Sequence, residues 1–435
     1  MNILMMTNTY TPIVGGLEKS VATFSEEYRK LGHRVLIVAP VFEGMPAEET
    51  GVIRVPAVQH FNGTDFSVEL PVPGFLNDAL AEFHPEIVHA QHPFLIGDAA
   101  LRVAYQLKIP LVYTTHTLFE YNTHYVSDSQ VLKRFVIQLS AGYANLSDQV
   151  FVPSLGVKTM LEQQGVKSPV EVVPSGIDVA GFQKGDAKNF REKLHIPGNA
   201  YVVGFTGRLA PEKNLEFLAR SVALFLKKKE NACFLVVGKG PSEETVRDIF
   251  KAEGLESRLF FAGVLQNNEL VDAYHAMDVF SFASKSETQG IALLEAMASG
   301  VPVAALDACG VQDLVQNGIN GILTEREDAN NFSDALNAMA SMPREKKDAL
   351  SRAALLTAQG YSREICAKKA LSMYEAVIRR GLNGRQDQGS PWGDSAWSQT
   401  ARKLSAEWEL IKNMTKAAAT AVMNPEPAAP QAPPR

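Results

Sequence analysis

Short apolar runs of strand length alternate with helical stretches along most of this chain, and that alternation limits what it can fold into more than any other feature. Residues 34–41, 150–153, 233–237, 259–261, 278–283 and 301–305 are such runs. Strands that alternate with helices build a parallel sheet covered by helices on both faces. The rhythm runs to Ser175, pauses across a polar connection at 178–199 and restarts at Tyr201. With 435 residues, more than one core fills, the pause marks two domains. The expected class is α/β, two doubly wound Rossmann-like domains, 1–178 and 179–362. Ser362 can cap a helix over 363–380. A helical extension and a disordered proline tail follow over 381–435.

Within this frame SKSETQGIALLEAMASGVPV sets Glu287 and Glu295 eight residues apart at a strand-to-helix crossing. Residues 288–290 can turn, and 291–299 have helical spacing with Gly300 as a stop and Pro302 beyond it. The amides of Thr288, Gln289, Gly290 and Ile291 then lie at a helix N-terminus, which favours an anion such as phosphate. Glu295, about one turn inside, faces the same way as Glu287. One loop thereby offers anion donors and two carboxylate acceptors, a combination suited to a sugar joined to a diphosphate. Two merely solvated glutamates are the plainer alternative, and only neighbouring segments weigh against it.

Those segments are YVVGFTGRLAPEKNL, a buried strand ending in Gly207 and followed by Arg208 and Lys213, and an N-terminal strand, glycine loop and helix with Gly15 and Gly16. Arg208 and Lys213 at a strand end can clamp a pyrophosphate, the first as a fork and the second as a point charge. The glycine pair lets backbone approach a ligand, but it is not the G-x-G-x-x-G fingerprint of dinucleotide binding. VHAQHP and LVYTTH read as buried strands with His92 and His116 at the C-terminal edge, where open α/β sheets bind ligands. VGKGPS adds a strand and a turn with Gly238 and Gly240.

Together these segments resemble the retaining glycosyltransferases of the two-domain GT-B type, specifically family 4 with its Glu, seven residues, Glu signature. The resemblance spans about residues 1–380. It implies two domains facing a cleft, with the helix 363–380 returning to the first. It implies that Glu295 binds the nucleotide ribose and Glu287 the donor-sugar hydroxyls, while the amides between them meet sugar and diphosphate. Arg208 and Lys213 match a G-R-x-x-x-x-K pattern that neutralises the leaving diphosphate. By the same resemblance Gly15 and Gly16 close over the donor phosphates, Gly238 and Gly240 pass near the base, His116 contacts the donor sugar, and His92 lines the acceptor side.

The stretch HTLFEYNTHY from His116, with ETQG at Glu287 where E-G-F-G is commoner, is similar to bacterial diacylglycerol glucosyltransferases and related glycolipid synthases. That similarity places Glu120, His124 and Tyr125 at the acceptor. It implies retaining transfer of a hexose, glucose first, from a nucleotide sugar to a lipid hydroxyl such as that of diacylglycerol. UDP-glucose is the first donor expected and GDP-mannose the second. A polysaccharide or small-sugar acceptor, or mannosyl transfer to a phospholipid, stays open. A nicotinamide oxidoreductase is disfavoured by the missing fingerprint, and a non-catalytic sugar-nucleotide sensor by the presence of both Arg208 and Lys213. No DxD cluster is evident, so neither a cofactor nor a metal is expected.

Composition bounds the partners. A formal net charge of −6, with no basic stripe, disfavours nucleic acid. Cys233, Cys309 and Cys366 lie far apart with no CxxC, and read as buried thiols in a reducing compartment. No apolar run reaches the roughly 20 residues of a membrane span, and no basic-then-apolar signal opens the chain. The expected location is the cytoplasm, including the inner face of the cell membrane. Residues 1–180 hold 11 Lys and Arg against 18 Asp and Glu, a balance of −7, so bulk attraction to anionic lipid is not expected. Lys133 and Arg134, among Val131, Leu132, Phe135, Val136 and Leu139, offer a local patch, with core packing the competing reading. All three tryptophans, Trp392, Trp397 and Trp408, fall in the extension. Leu404, Trp408, Ile411 and Thr415 line one face of its helix, with Arg402, Lys403, Lys412 and Lys416 elsewhere around it. Such a helix can lie on a membrane surface, dock on its own protein or bind a partner.

Overall fold

A computed structural model describes residues 1–13, 15–58, 68–69, 75–117, 129–381 and 396–423. By its internal contacts the chain divides into two units, Met1–Gly176 with Cys366–Arg435, and Ile177–Ile365.

The first unit is built on strands β1 (Asn2–Met6), β2 (Arg34–Pro40) and β3 (Val52–Val55), with the short antiparallel pair β4 (Ala57–Val58) and β5 (Val68–Glu69) beside them in sequence. It continues with β6 (Ile87–Ala90), β7 (Leu111–Thr114), β8 (Gln149–Val152) and β9 (Val170–Val172). Seven of these form one parallel sheet in the order β3-β2-β1-β6-β7-β8-β9, so the direction of winding reverses between β1 and β6. Every residue of β6, β7 and β8 is buried, as expected of strands covered on both faces.

The helix Arg363–Arg380 adds Cys366, Ala367, Ala370, Leu371 and Tyr374 to a core with Ile3, Val21, Tyr28 and Phe151. The Ser362 hydroxyl accepts from the Ile365 amide at 3.4 Å at its start. A buried relay fixes it. Tyr28 donates to Tyr374 at 3.3 Å, Tyr374 to His89 Nδ1 at 2.5 Å, and His89 Nε2 to Thr114 at 2.6 Å. The Tyr374 ring stacks on Phe151 with centroids 5.6 Å apart.

The extension helix, Ala396–Met423, docks on its own protein, against the helices Gln130–Leu146 and Ile96–Leu107. Ala406, Leu410, Ala417 and Ala421 are buried in that contact. Arg102 pairs with Glu407 at 2.5 Å, and Asn413 donates to the Leu139 carbonyl at 3.1 Å. A Cβ on Gly142 would stand 1.7 Å from Asn413 Oδ1, so glycine is what lets the two helices approach there. The face named from sequence is the opposite one: Leu404, Trp408, Ile411 and Thr415 are exposed.

The second unit carries β10 (Tyr201–Thr206), β11 (Ala232–Val237), β12 (Leu259–Gly263), β13 (Val279–Phe282), β14 (Val303–Leu306) and β15 (Gly321–Thr324). They form a parallel sheet in the order β12-β11-β10-β13-β14-β15, and winding reverses between β10 and β13. The strand expected at 301–305 begins at Val303 instead. Pro302 has no N–H for a ladder and serves only as acceptor, for the Phe280 amide at 3.0 Å. Cys233 and Cys366 are buried, but Cys309, also expected to be, is half-buried.

Candidate functional site

In open α/β sheets ligands settle beyond the strand ends where winding reverses, because the flanking loops part there. In the second unit that point lies beyond β10 and β13. After β10 the chain passes Gly207, exposed Arg208 and the turn Pro211–Lys213, and after β13 it passes Glu287. Lys213 Nζ meets Glu287 Oε2 at 2.9 Å, while Glu287 Oε1 accepts the Gly290 amide at 3.1 Å. Glu287 thus joins the two loops, and the Gly290 amide, expected to be available to an anion, is engaged by a carboxylate. Gly290 holds φ +84° at the start of the helix Ile291–Ala298, a conformation side chains disfavour. Thr288 and Ile291 are half-buried beside it, and Gln289 is buried.

Glu295 is buried one turn inside that helix, where its Oε2 accepts from Tyr274 at 2.8 Å. The Tyr274 hydroxyl also meets Thr206 at 2.6 Å. Burial, and then the Glu295 charge, push the Tyr274 phenol well above its ordinary range, so it stays a donor. The glycine turns pack tightly. A Cβ on Gly238 would stand 1.9 Å from the Gly207 carbonyl oxygen, and one on Gly240 would stand 2.4 Å from that of Leu209. Gly310 braces the Glu287 loop from outside, donating to the Glu287 carbonyl at 3.0 Å.

In the first unit the reversal lies beyond β1 and β6. His92 Nδ1 accepts the Asn8 amide at 3.1 Å, which leaves its proton on Nε2. His116, just past β7, meets the Gln91 amide oxygen through Nε2 at 2.8 Å. Burial, then the neighbouring His116, lower His92 to about 3; burial alone lowers His116 to about 4. Both rings are therefore neutral near pH 7. Gln91 is buried, and its Nε2 has no hydrogen-bond partner among the described residues.

Gly15 is extended, with φ −156°, and caps the helix Gly16–Lys30. What glycine allows at this position is a side chain's approach, because a Cβ would lie 2.4 Å from Glu18 Oε2. Glu18 is buried and accepts from Thr9 at 2.5 Å, so a carboxylate already faces this helix start. Glu120, His124 and Tyr125 lie outside the described residues.

Sequence reasoning missed Glu18, Gln91, Tyr274 and Gly310. Glu18, the third residue of the helix that Gly15 caps, stood in a capping position that was readable. The other three belong to no local pattern. Among the described residues no group of three or more His, Cys, Asp or Glu is arranged to hold a metal.

Two doubly wound parallel units are the architecture of the GT-B class of glycosyltransferases. Comparison with known proteins places the chain within that class. A model described as glycosyl transferases group 1 matches residues 186–356, and one described as Glycosyltransferase Family 4 matches 14–180. An alpha-monoglucosyldiacylglycerol synthase of Streptococcus pneumoniae is 30% identical over 337 residues, 74% of this chain and 75% of that one. A GDP-mannose-dependent alpha-mannosyltransferase of Mycolicibacterium smegmatis is 28% identical over 389 residues, 87% of this chain and 98% of that one. The structure of Anabaena HepE in complex with UDP and glucose superposes with a TM-score of 0.69 at 21% identity, over 86% of this chain and 99% of that one. The chain belongs to glycosyltransferase family 4 and is a glycosyltransferase.

Proposed function

We propose that the protein transfers glucose from UDP-glucose to the hydroxyl of a diacylglycerol-type lipid, with retention at the anomeric carbon, at the cytoplasmic face of a membrane. The observation that carries the donor half is the Lys213–Glu287–Gly290 junction beside exposed Arg208, set one helical turn from the buried Glu295. In this reading Arg208 and Lys213 take the diphosphate, with the amides of Thr288, Gln289 and Ile291 beside them, and that of Gly290 once Glu287 turns to the sugar. Glu287, released from Lys213 by the incoming phosphate, accepts from sugar hydroxyls. Glu295, oriented by Tyr274, accepts from the ribose, and Gly207, Gly238 and Gly240 keep the loops by the base thin.

The bond from the anomeric carbon to the diphosphate oxygen breaks as the acceptor oxygen bonds to the same face of that carbon. The acceptor's proton passes to the departing phosphate oxygen. Charge growing on the diphosphate meets cations and amides already in place, which is where the rate gain arises. From the first unit His92 serves the acceptor as a neutral N–H donor through Nε2, and His116, whose Nε2–H is held by Gln91, serves the sugar as an acceptor through Nδ1. Gly15 and Gly16 attend the phosphates, and Glu120, His124 and Tyr125 attend the acceptor.

The lipid acceptor is supported by the pneumococcal relative's name together with the HTLFEYNTHY stretch. The mycobacterial relative favours a second reading, mannosyl transfer from GDP-mannose. One experiment separates them. Purified protein is given a panel of sugar nucleotides with diacylglycerol vesicles or soluble sugars, and nucleoside diphosphate release and product anomer are followed. UDP release with an α-linked glucolipid is the expected result. GDP release from GDP-mannose supports the second reading, and turnover with soluble sugars alone rejects the lipid acceptor. Glu287→Gln, folded by circular dichroism, should lose nearly all turnover, and a wild-type rate would refute its role.

A further inference from the structure

The extension helix Ala396–Met423 is apolar on two opposite sides, and among the described residues one of them is covered and the other exposed. Ala406, Leu410, Ala417 and Ala421 are buried against the first unit. At about 100° per residue, Leu404, Trp408, Ile411, Thr415 and Val422 point the other way. Leu404 is 65% exposed, Trp408 61%, Ile411 50% and Val422 72%. The stripe runs about 27 Å at 1.5 Å per residue. Its far end lies by the start of the helix Gln130–Leu146, where Arg134 Nε donates to the Ala421 carbonyl at 3.2 Å. Val131 and Leu132 are exposed at that same start.

Charge indicates what covers the stripe. The helix holds four cations, Arg402, Lys403, Lys412 and Lys416, against two carboxylates, Glu407 and Glu409, while residues 1–180 are acidic overall. Arg102 pairs with Glu407, Lys412 with Glu409, and Arg402 turns to the Gln106 carbonyl on the docked side. Lys412 and Lys416 are exposed along one flank of the stripe, and Lys133 and Arg134 adjoin Val131 and Leu132. Apolar side chains centred on an indole and bordered by lysines suit the boundary of an anionic bilayer.

We propose that this outward stripe, with Val131 and Leu132, is the surface by which the protein lies on a membrane containing anionic lipid. The inference deepens the lipid-acceptor reading by naming the surface that brings the enzyme to its acceptor. Its test is separable, because binding is read without turnover and on vesicles that contain no diacylglycerol.

Full-length protein is sedimented with vesicles of phosphatidylglycerol and phosphatidylcholine, beside the variant Leu404→Ser, Trp408→Ser, Ile411→Ser. The wild type is expected to pellet with the vesicles. The variant, its melting unchanged because the three side chains are exposed, is expected to partition about tenfold less. With Trp392→Phe and Trp397→Phe in place, brominated phospholipid should quench the remaining Trp408. The proposal is overturned if the wild type stays in the supernatant, if the variant binds as well as the wild type, or if Trp408 is not quenched. It is equally overturned if analytical ultracentrifugation shows a dimer that the triple substitution dissolves.

Discussion

The two units reverse their winding in the same way but furnish the reversal point with opposite chemistry. Beyond β10 and β13 a lysine and a glutamate face each other at 2.9 Å, 24% and 16% exposed, and Arg208 is an exposed residue. Beyond β1, β6 and β7 the groups are imidazoles held neutral by burial, with His92 and His116 satisfied by an amide N–H and an amide oxygen. A charged and partly wet pair can exchange its partner for a phosphate at small cost. Neutral, half-buried rings, each with one nitrogen already hydrogen-bonded, instead offer a fixed donor or acceptor of a kind that suits a hydroxyl. The difference teaches that one scaffold can set charge at one reversal point and neutral hydrogen-bonding groups at the other.

The comparison breaks most readily at the charged point. Lys213→Ala should lower kcat about a thousandfold, or about 4 kcal/mol, while His92→Ala should act mainly on the KM of the acceptor. Steady-state kinetics with donor and acceptor varied separately checks this, and equal effects on both substrates would erase the distinction.

Acid sharpens the contrast next. His89 is fully buried, and burial followed by the neighbouring His116 lowers it to about 3, so the folded first unit binds fewer protons than the unfolded chain. Its stability is whole above about pH 6.5 and falls as pH drops toward the folded values, by about 1.4 kcal/mol per pH unit for such a histidine. His92 and His116, partly open to solvent, contribute less. Hydrogen exchange at pH 7 and pH 5 should show protection lost in the sheet of β1–β3 and β6–β9. The sheet of β10–β15 should hold its protection, and parallel losses would contradict the assignment.

Tyr374→Phe leaves His89 Nδ1 buried without its donor, and should cost the first unit about 1–2 kcal/mol in urea unfolding. An unchanged midpoint would mean that the relay contributes nothing. The smallest effect is expected at Arg220, paired with Glu216 on an exposed helix face. Arg220→Ala should shift stability by less than about 0.5 kcal/mol.

Much of this layout was legible in the chain. The strand before Glu287, the stop at Gly300 and the cations after Gly207 follow from periodicity and from the residues that end strands and helices. The Lys213–Glu287 contact was not, because it joins residues 74 apart, and no local pattern reports which loops meet beyond a parallel sheet. Tyr274 is hidden for the same reason, as an ordinary aromatic residue on a helix until the fold sets its hydroxyl on Glu295. The extension helix misdirects in a different way. Its bulky residues draw attention to Leu404 and Trp408, yet the face that docks is mostly alanine, and the close approach is made by Asn413 over Gly142. Hydrophobic bulk marked the side that stays outside.

The central claim is that the second unit's reversal point holds the donor by its diphosphate. Calorimetric titration with UDP and with uridine, on wild type, Arg208→Ala and Lys213→Ala, tests it most directly. Each substitution should weaken UDP by about 10–100-fold, or about 1.4–2.8 kcal/mol, and leave uridine binding as it was. Equal UDP affinity in all three proteins would contradict the account.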